Sequence, residues 1–355
     1  MKKSIMWRHI DQEKEMLERL LDSGQVGEWA SRCNLEQIQK VIFIASGSSL
    51  NIASVSGKLY QKLAKVEVVL KNPFQYLDEE DTEKSPEKTL AIVISQTGTS
   101  NGTIHAMKAA KMKGIPVLAL TEREQTPIQQ LGDYYMNFLC EQEDCNAKTK
   151  GYSNSMVLLW LIALEIGRAK GQVDEKTFDA YMNEIRACVM DIPETVEQTK
   201  AWIEKNKHWA IIGHFLVIGG GMNYGTAEEG MLKLMETLCI PASVCETGEF
   251  SHGVHRTIGS SSNVVTIVTK ESGFDDMMKI NRYLEGKVAR LLIIDAAEGP
   301  RADNKICVNF RPLTASALNV AVVFQVLAAA LPEIIGYDPN RPSNDELTRL
   351  VATRN

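Results

Sequence analysis

The sequence predicts an α/β protein built from two tandem parallel sheets, each doubly wound and flanked by helices. Three observations carry this. Continuous apolar runs of strand length alternate with helical segments, those runs end in small polar or glycine-rich loops, and the order of the first half recurs in the second. At 355 residues the chain exceeds the ~250–300 residues at which a single core stops growing, so two domains are expected. Apolar residues at 44% and charged residues at 24% exclude a disordered or fibrous chain.

The first element is an amphipathic entry helix over Trp7–Leu21, with Ile10, Met16, Leu17, Leu20 and Leu21 at helical spacing. Val41-Ile-Phe-Ile-Ala then reads as a strand, followed by Ser46-Gly-Ser-Ser and a helix. Thr89-Leu-Ala-Ile-Val-Ile is the second such unit, ending in Ser95-Gln-Thr-Gly-Thr-Ser and a helix through Lys113. Ile115-Pro-Val-Leu-Ala-Leu-Thr is the third. Unbroken apolar strands between helices mean a parallel sheet covered on both faces. Lys40–Gly47 aligns with Gly213–Gly220, a shift of 213 − 40 = 173, which also sets Gly57 on Gly230. Val264-Val-Thr-Ile-Val, ending at Gly273, repeats the second unit. So long a period means a duplicated domain rather than a solenoid. The expected division is a helical lead-in over 1–35, a first domain over 36–190, a second over 191–335 and a tail over 336–355, with the join near Asp191–Lys207. The apolar stretch Ala315–Leu331 is interrupted by Ser316, Asn319 and Gln325, and reads as a buried helix rather than a membrane span.

Charge and cysteine usage narrow the function classes. The balance of 39 basic and 45 acidic residues, −6, shows no nucleic-acid footprint. Seven cysteines without a CxxC pair fit neither a disulfide framework nor a zinc site, and point to a reducing cytoplasm. The N-terminus has no apolar segment behind its lysines, so no signal peptide is expected. Neither a metal nor a cofactor is expected.

In open α/β sheets ligands bind beyond the carboxyl ends of the strands. In the first half those ends carry Ser46, Ser48 and Ser49, then Ser95, Thr97, Thr99 and Ser100. Small residues admit an anion to the backbone, hydroxyls donate to it, and a helix N-terminus adds partial positive charge. One such loop is an ordinary turn with a helix cap; two after consecutive strands point to a site. No GxxxxGK[ST] or GxGxxG motif is present, so a phosphate on a small molecule is expected rather than a nucleotide. The second-half loops, Gly219-Gly-Gly-Met-Asn and Lys270-Glu-Ser-Gly, are poor in hydroxyls, which leaves phosphate to the first half. The second half offers Glu229, Lys233 and Glu236 on one helix face. It also has the stretch Glu246-Thr-Gly-Glu-Phe-Ser-His-Gly-Val-His. Singly these are commonplace, but together they supply a carboxylate and an imidazole, the pair for proton shuttling beside a carbonyl.

These residues also carry a family resemblance. The chain resembles double SIS (sugar isomerase) proteins, in particular the isomerase half of glucosamine-6-phosphate synthase and the fructosamine-6-phosphate deglycases. The opening Trp7-Arg-His-Ile-Asp-Gln-Glu, both hydroxyl loops and Glu143-Asp-Cys-Asn-Ala-Lys-Thr-Lys-Gly-Tyr resemble family stretches. So do Glu229-Gly-Met-Leu-Lys-Leu-Met-Glu and Glu249-Phe-Ser-His-Gly, with His252 falling 252 − 236 = 16 residues after Glu236. The resemblance implies two SIS domains, each with a doubly wound, mostly parallel five-stranded sheet. It implies that Ser48, Ser49, Ser95, Gln96, Thr97 and Ser100 hold a sugar phosphate. Glu236 is implied as the base moving a proton between carbons 1 and 2, and His252 as the ring-opening group, reaching a partner's site in a homodimer. Asn146, Lys148, Glu229 and His255 are candidate substrate contacts.

Departures from the family shape the expected activity. No match to the synthase's glutaminase domain occurs in this sequence, so the resemblance implies no ammonia supply within it. Where the synthase has a Schiff-base lysine in Pro-Arg-Asn-Leu-Ala-Lys-Ser, this chain has Pro342-Ser-Asn-Asp-Glu-Leu-Thr-Arg-Leu, and a guanidinium such as Arg349 is no nucleophile. A substrate bearing its own amine removes the need for that lysine. The expected activity is therefore a deglycase that splits a sugar–amino acid conjugate 6-phosphate, such as fructoselysine or glucoselysine 6-phosphate, into hexose 6-phosphate and amine. The alternatives are a glucosamine-6-phosphate synthase- or deaminase-like enzyme, an aldose–ketose isomerase, or a non-catalytic sugar-phosphate sensor.

Overall fold

The computed structural model describes residues 4–78 and 83–351, apart from the side chains of 348 and 349. The extreme ends of the lead-in and tail, 1–3 and 352–355, lie outside the described residues. The chain forms two compact bodies. The first comprises Glu15–Glu143, Lys150–Ala180 and Pro342–Asn355; the second comprises Met1–Lys14, Asp144–Thr149 and Tyr181–Arg341. The entry helix α1 runs over Ile5–Asp22 and buries Ile10, Met16, Leu17 and Leu20.

In the first body follow α2 (Gln25–Arg32), β1 (Lys40–Ile44), α3 (Ser48–Leu59), β2 (Glu67–Lys71) and α4 (Pro73–Asp78). Then come β3 (Thr89–Ile94), α5 (Asn101–Met112), β4 (Val117–Thr121), α6 (Pro127–Leu131), β5 (Tyr134–Asn137) and α7 (Lys150–Ala169). The five strands are all parallel in the order β2-β1-β3-β4-β5, with Val41 opposite both Val68 and Leu90. Every residue of β3 and β4 is buried, which is why these strands read as unbroken apolar runs. One face carries Ile42, Ile44, Ala91, Val93, Val117 and Ala119 against Ile104, Met107 and Ala110 of α5. On the other, Phe43 meets Tyr60 edge-on at 5.1 Å, and α3 packs on α7.

The second body repeats the plan. Its elements are α8 (Glu175–Lys205), β6 (Phe215–Gly219), α9 (Asn223–Leu238), β7 (Ala242–Glu246), β8 (Asn263–Val268), α10 (Phe274–Leu284), β9 (Arg290–Asp295), β10 (Lys305–Cys307) and α11 (Ala317–Ile334). The order β7-β6-β8-β9-β10, all parallel, is the first sheet's order over again. Thus the sheets are wholly parallel, and five-stranded as expected. The expected join near Asp191–Lys207 falls largely inside the continuous helix α8. Helix α12 (Asp345–Val351) ends the described chain.

α11 is the one described helix long and apolar enough to cross a membrane, and 83% of it is buried inside the protein, where it packs against α9. That packing depends on Gly230: a Cβ there would lie 2.5 Å from the fully buried Phe324 ring. At Gly57, its counterpart in the first body, the fit is looser, a Cβ there lying 3.1 Å from Val68.

Gly230→Ala sets overpacking, typically ~1–3 kcal/mol, against a helix-propensity gain of ~0.5–1 kcal/mol. Overpacking wins because the Phe324 ring has nowhere to go. Urea unfolding should show a net loss of ~1–2 kcal/mol, recovered in part by adding Phe324→Leu; unchanged stability would mean that the helices separate freely.

Candidate active site

With β1 beside β3, the chain leaves one strand toward one face of the sheet and the next toward the other, opening a crevice at their carboxyl ends. Ser46–Ser49 follows β1 and Ser95–Ser100 follows β3, so the first body brings Ser48, Ser49, Ser95, Gln96, Thr97 and Ser100 to one edge. Gly47 turns the chain into α3 at φ 57°, and its carbonyl accepts from the Leu50 and Asn51 amides at 2.8 and 3.1 Å. In the second loop Gly98 sits at φ 68°, where a Cβ would lie 2.3 Å from Thr126 Oγ1. Only glycine fits there. Thr97 and Thr99 hydroxyls bond at 3.2 Å, and Thr103 Oγ1 donates to Ser100 Oγ at 2.9 Å at the start of α5. Gln96 is held from behind: its Nε2 donates to Glu122 at 3.1 Å and to Glu143 at 3.2 Å. Glu143 also accepts the Gly151 amide at 3.0 Å. This gives the Glu143–Gly151 motif a physical task, bracing the second loop.

The second body's matching crevice, between β6 and β8, is occupied by the protein itself. Glu271 Oε1 accepts the Met222 amide at 3.0 Å, and Oε2 accepts from Thr269 Oγ1 at 3.0 Å. Gly221, at φ 57°, makes room, since a Cβ would lie 2.5 Å from that carboxylate. About 10 Å³ of space remains. A carboxylate bound to the leading edge of α9 stands where an external anion would sit. In sequence the only sign of this is the acidic residue in Lys270-Glu-Ser-Gly.

On α9, Glu229 and Lys233 form an ion pair one helical turn apart, and both are almost wholly buried. Glu236 follows on the same side, at the open end. Solvent reaches its side chain, yet the protein crowds it enough that lost hydration raises its pKa above the ordinary glutamate value. Lys233 opposes that rise, Glu229 adds to it, and Lys148 also opposes it.

Lys148 arrives on the strap Asp144–Thr149, which belongs to this body although it lies within the first half of the sequence. The Asp144 amide donates to His9 Nε2 at 3.3 Å, and Gln325 Nε2 of α11 donates to the Thr149 carbonyl at 3.4 Å. The Asn146 amide donates to Asn340 Oδ1 at 3.0 Å, and its Nδ2 donates to the Asn340 carbonyl at 3.4 Å. Asn146 is thus engaged as a fastener. No local sequence pattern announces these three long-range pins.

The loop after β7 forms two short 3₁₀ turns, Gly248–His252 and Val254–Thr257. Its first turn is tied by Glu246, whose Oε2 accepts the Gly248 and Glu249 amides. His252 is exposed at the end of that turn. His255 Nδ1 donates to the Phe250 carbonyl at 3.3 Å, so this ring fastens the loop. The Arg349 side chain lies outside the described residues.

A model of the SIS domain matches residues 34–165 and again residues 212–331, one match on each sheet. The chain belongs to the SIS domain family. This SIS protein is 28% identical over 311 residues to the isomerizing glutamine–fructose-6-phosphate aminotransferase of Thermococcus kodakarensis, covering 86% of this chain and 51% of that one. It spans about half the length of such relatives. A solved Clostridium difficile structure, provisionally assigned as a phosphosugar isomerase, is 26% identical with a TM-score of 0.89 over 99% of both chains. The C-terminal domain of the Francisella tularensis glucosamine-fructose-6-phosphate aminotransferase shares the fold, at 18% identity and a TM-score of 0.87 over 95% of this chain and 98% of that one. This is a phosphosugar-isomerase-like protein related to the isomerase domain of those aminotransferases.

Replacing Glu271 by Ala should empty the second crevice. Thermal melts titrated with sulfate should then show an anion-dependent gain in the variant beyond that of the wild type. Equal responses would mean that Glu271 merely ties a loop.

Proposed function

We propose that this SIS protein is an enzyme that moves a proton between carbons 1 and 2 of a hexose 6-phosphate bearing nitrogen on one of them. The observation that carries the reading is Glu236, a carboxylate open to solvent yet raised in pKa, one turn beyond a buried ion pair on the same helix. Ser48, Ser49, Ser95, Thr97 and Ser100 bind the phosphate through hydroxyls and helix-edge amides, with Gln96 held in place by its two carboxylates. His252 opens the sugar ring, and its exposure suits a site shared with a second copy. Similarity to phosphosugar isomerases and fructose-6-phosphate aminotransferases supports isomerisation or amination of phosphosugars more than deglycation.

The deglycase reading retains one specific support: Pro342-Ser-Asn-Asp-Glu stands where the synthase has its lysine nucleophile. With a 1-amino-1-deoxyketose, Glu236 takes a proton from carbon 1, giving an eneaminol, and returns one to carbon 2. The product is an imine at carbon 1. Water adds to it and the C–N bond breaks, releasing amine and aldose 6-phosphate. With a 2-amino-2-deoxyaldose the proton moves the other way, and hydrolysis releases a ketose 6-phosphate. Every step is proton transfer or hydration, so no cofactor is needed.

The test offers glucosamine 6-phosphate, fructoselysine 6-phosphate and glucoselysine 6-phosphate separately. A glucose-6-phosphate dehydrogenase couple, with and without phosphoglucose isomerase, distinguishes aldose from ketose product. At least one substrate should release hexose 6-phosphate, and Glu236→Gln should reduce turnover by ~10²–10⁴-fold while phosphate still binds. Near-normal turnover in the variant, or none by the wild type, would overturn the reading.

The pH profile is a separate check. A base must be ionised to accept a proton, and a raised pKa brings protonation on at higher pH. Activity should therefore fall on acidification through a midpoint above the ~4.3 of an ordinary glutamate. A midpoint at or below that value would remove Glu236 from the role.

A further inference from the structure

We propose that the Gln96 side chain recognises a hydroxyl of the sugar rather than its phosphate, and so selects hydroxylated phosphate esters over plain alkyl phosphates. This rests on the reading of Ser95–Ser100 as a phosphate loop, and names a specificity contact within it.

A carboxamide has two unlike ends: its nitrogen carries two hydrogens to donate, and its oxygen only accepts. Gln96 Nε2 meets two carboxylates, Glu122 Oε2 at 3.1 Å and Glu143 Oε2 at 3.2 Å, so both hydrogens are spent inside the protein. These partners decide which end of the amide is which, since the reverse orientation would set a carbonyl oxygen against two carboxylates. Glu143 Oε2 also accepts the Gly151 amide at 3.0 Å, which marks it independently as an acceptor. The surroundings are shaped for this contact. A Cβ on Gly151 would collide with Gln96 Nε2, so a glycine near the start of α7 admits the amide. The Glu122 amide donates to the Gln96 carbonyl at 3.0 Å, and Asn137 Nδ2 donates to the Glu122 carbonyl at 2.9 Å. Gln96 is thus tied to the end of β4 through its backbone as well as its side chain.

What the half-buried Gln96 side chain has left for a ligand is Oε1. Phosphate oxygens near neutral pH are chiefly acceptors, and two acceptors set against each other repel. A sugar hydroxyl can donate. The two carboxylates behind the amide strengthen the choice, because their negative charge favours a hydrogen in front of Gln96 and opposes a phosphate oxygen there. Gln96 lies between Ser95 and Thr97, whose hydroxyls face no such restriction. The loop therefore divides its work: its hydroxyls and helix-edge amides take the phosphate, and Gln96 takes the carbon chain that the phosphate carries.

The experiment measures Kd by calorimetry for inorganic phosphate, n-hexyl phosphate and D-glucitol 6-phosphate. Glucitol 6-phosphate has hydroxyls along the same length of chain and no carbonyl, so none of these probes reacts. Wild type should bind the glucitol ester more tightly than the hexyl ester. Gln96→Met keeps the length of the side chain and removes the amide. It should weaken glucitol 6-phosphate by roughly 3- to 10-fold, the worth of one neutral hydrogen bond, and leave inorganic and hexyl phosphate unchanged. Melting curves establish that the variant is folded; should it not fold, wild type alone decides, since equal affinity for the two esters overturns the proposal. An equal loss for all three probes in a folded variant would mean that Gln96 serves the phosphate, and also overturns it. Wild type that binds no probe defeats the phosphate loop and the proposal together, whereas failure of Glu236 as the base would leave all these affinities as they are.

Discussion

In a parallel sheet every strand ends at the same edge, and where neighbouring strands send their chains to opposite faces a crevice opens there by necessity. The chemistry of this protein hangs on that constraint, met twice. Between β1 and β3 the crevice is lined by serine and threonine hydroxyls, with glycines at φ 57° and 68° that let the backbone turn inward. Between β6 and β8 the same opening holds the Glu271 carboxylate, bonded to the Met222 amide. A helix edge left without an anion keeps unsatisfied amides, so a crevice that takes no external anion must satisfy them otherwise. An internal carboxylate does so.

The same need for balance governs α9. Two charges in an interior are tolerated only as a pair, and Glu229 with Lys233 is such a pair. Being one turn apart on the same helix, they lie on the face that also carries Glu236. Gly230 lets Phe324 of α11 close on that helix, and Arg341 ties its last turn. Glu236 thus sits on a helix held by packing along its length and by a hydrogen bond at its last turn. The strap carrying Lys148 is fastened within the same body by His9, Asn340 and Gln325.

Much of this was legible in the sequence because burial on both faces leaves a plain mark. β1, β3, β4, β6 and β8 are continuous apolar runs, and the duplication follows from their spacing. β2 escaped as a particular strand because it lies at the sheet edge, half-exposed and bounded by Glu67 and Lys71. β5 is four residues with two tyrosines. The hydroxyl loops were legible because small residues at strand ends have few structural uses in succession. Long-range hydrogen bonds leave no such mark. Asn146 reads as a contact residue until Asn340 is seen beside it, and His255 until Phe250 is. Nothing local marks Asp144–Thr149 as part of the second body, and Glu271 is recognisable only once the two crevices are superposed in the mind.

Proton transfer between adjacent sugar carbons is the step on which the functional reading turns, and isotopic substitution follows it directly. A fructosamine 6-phosphate carrying two deuterium atoms on carbon 1 would be converted by the enzyme and the released hexose 6-phosphate examined by NMR. One deuterium should remain on carbon 1, with the other on carbon 2 or lost to solvent, and the reaction should be slowed by a primary isotope effect. A product that retains both deuterium atoms on carbon 1 would mean that the C–N bond breaks without proton transfer, and Glu236 would have no base role to play.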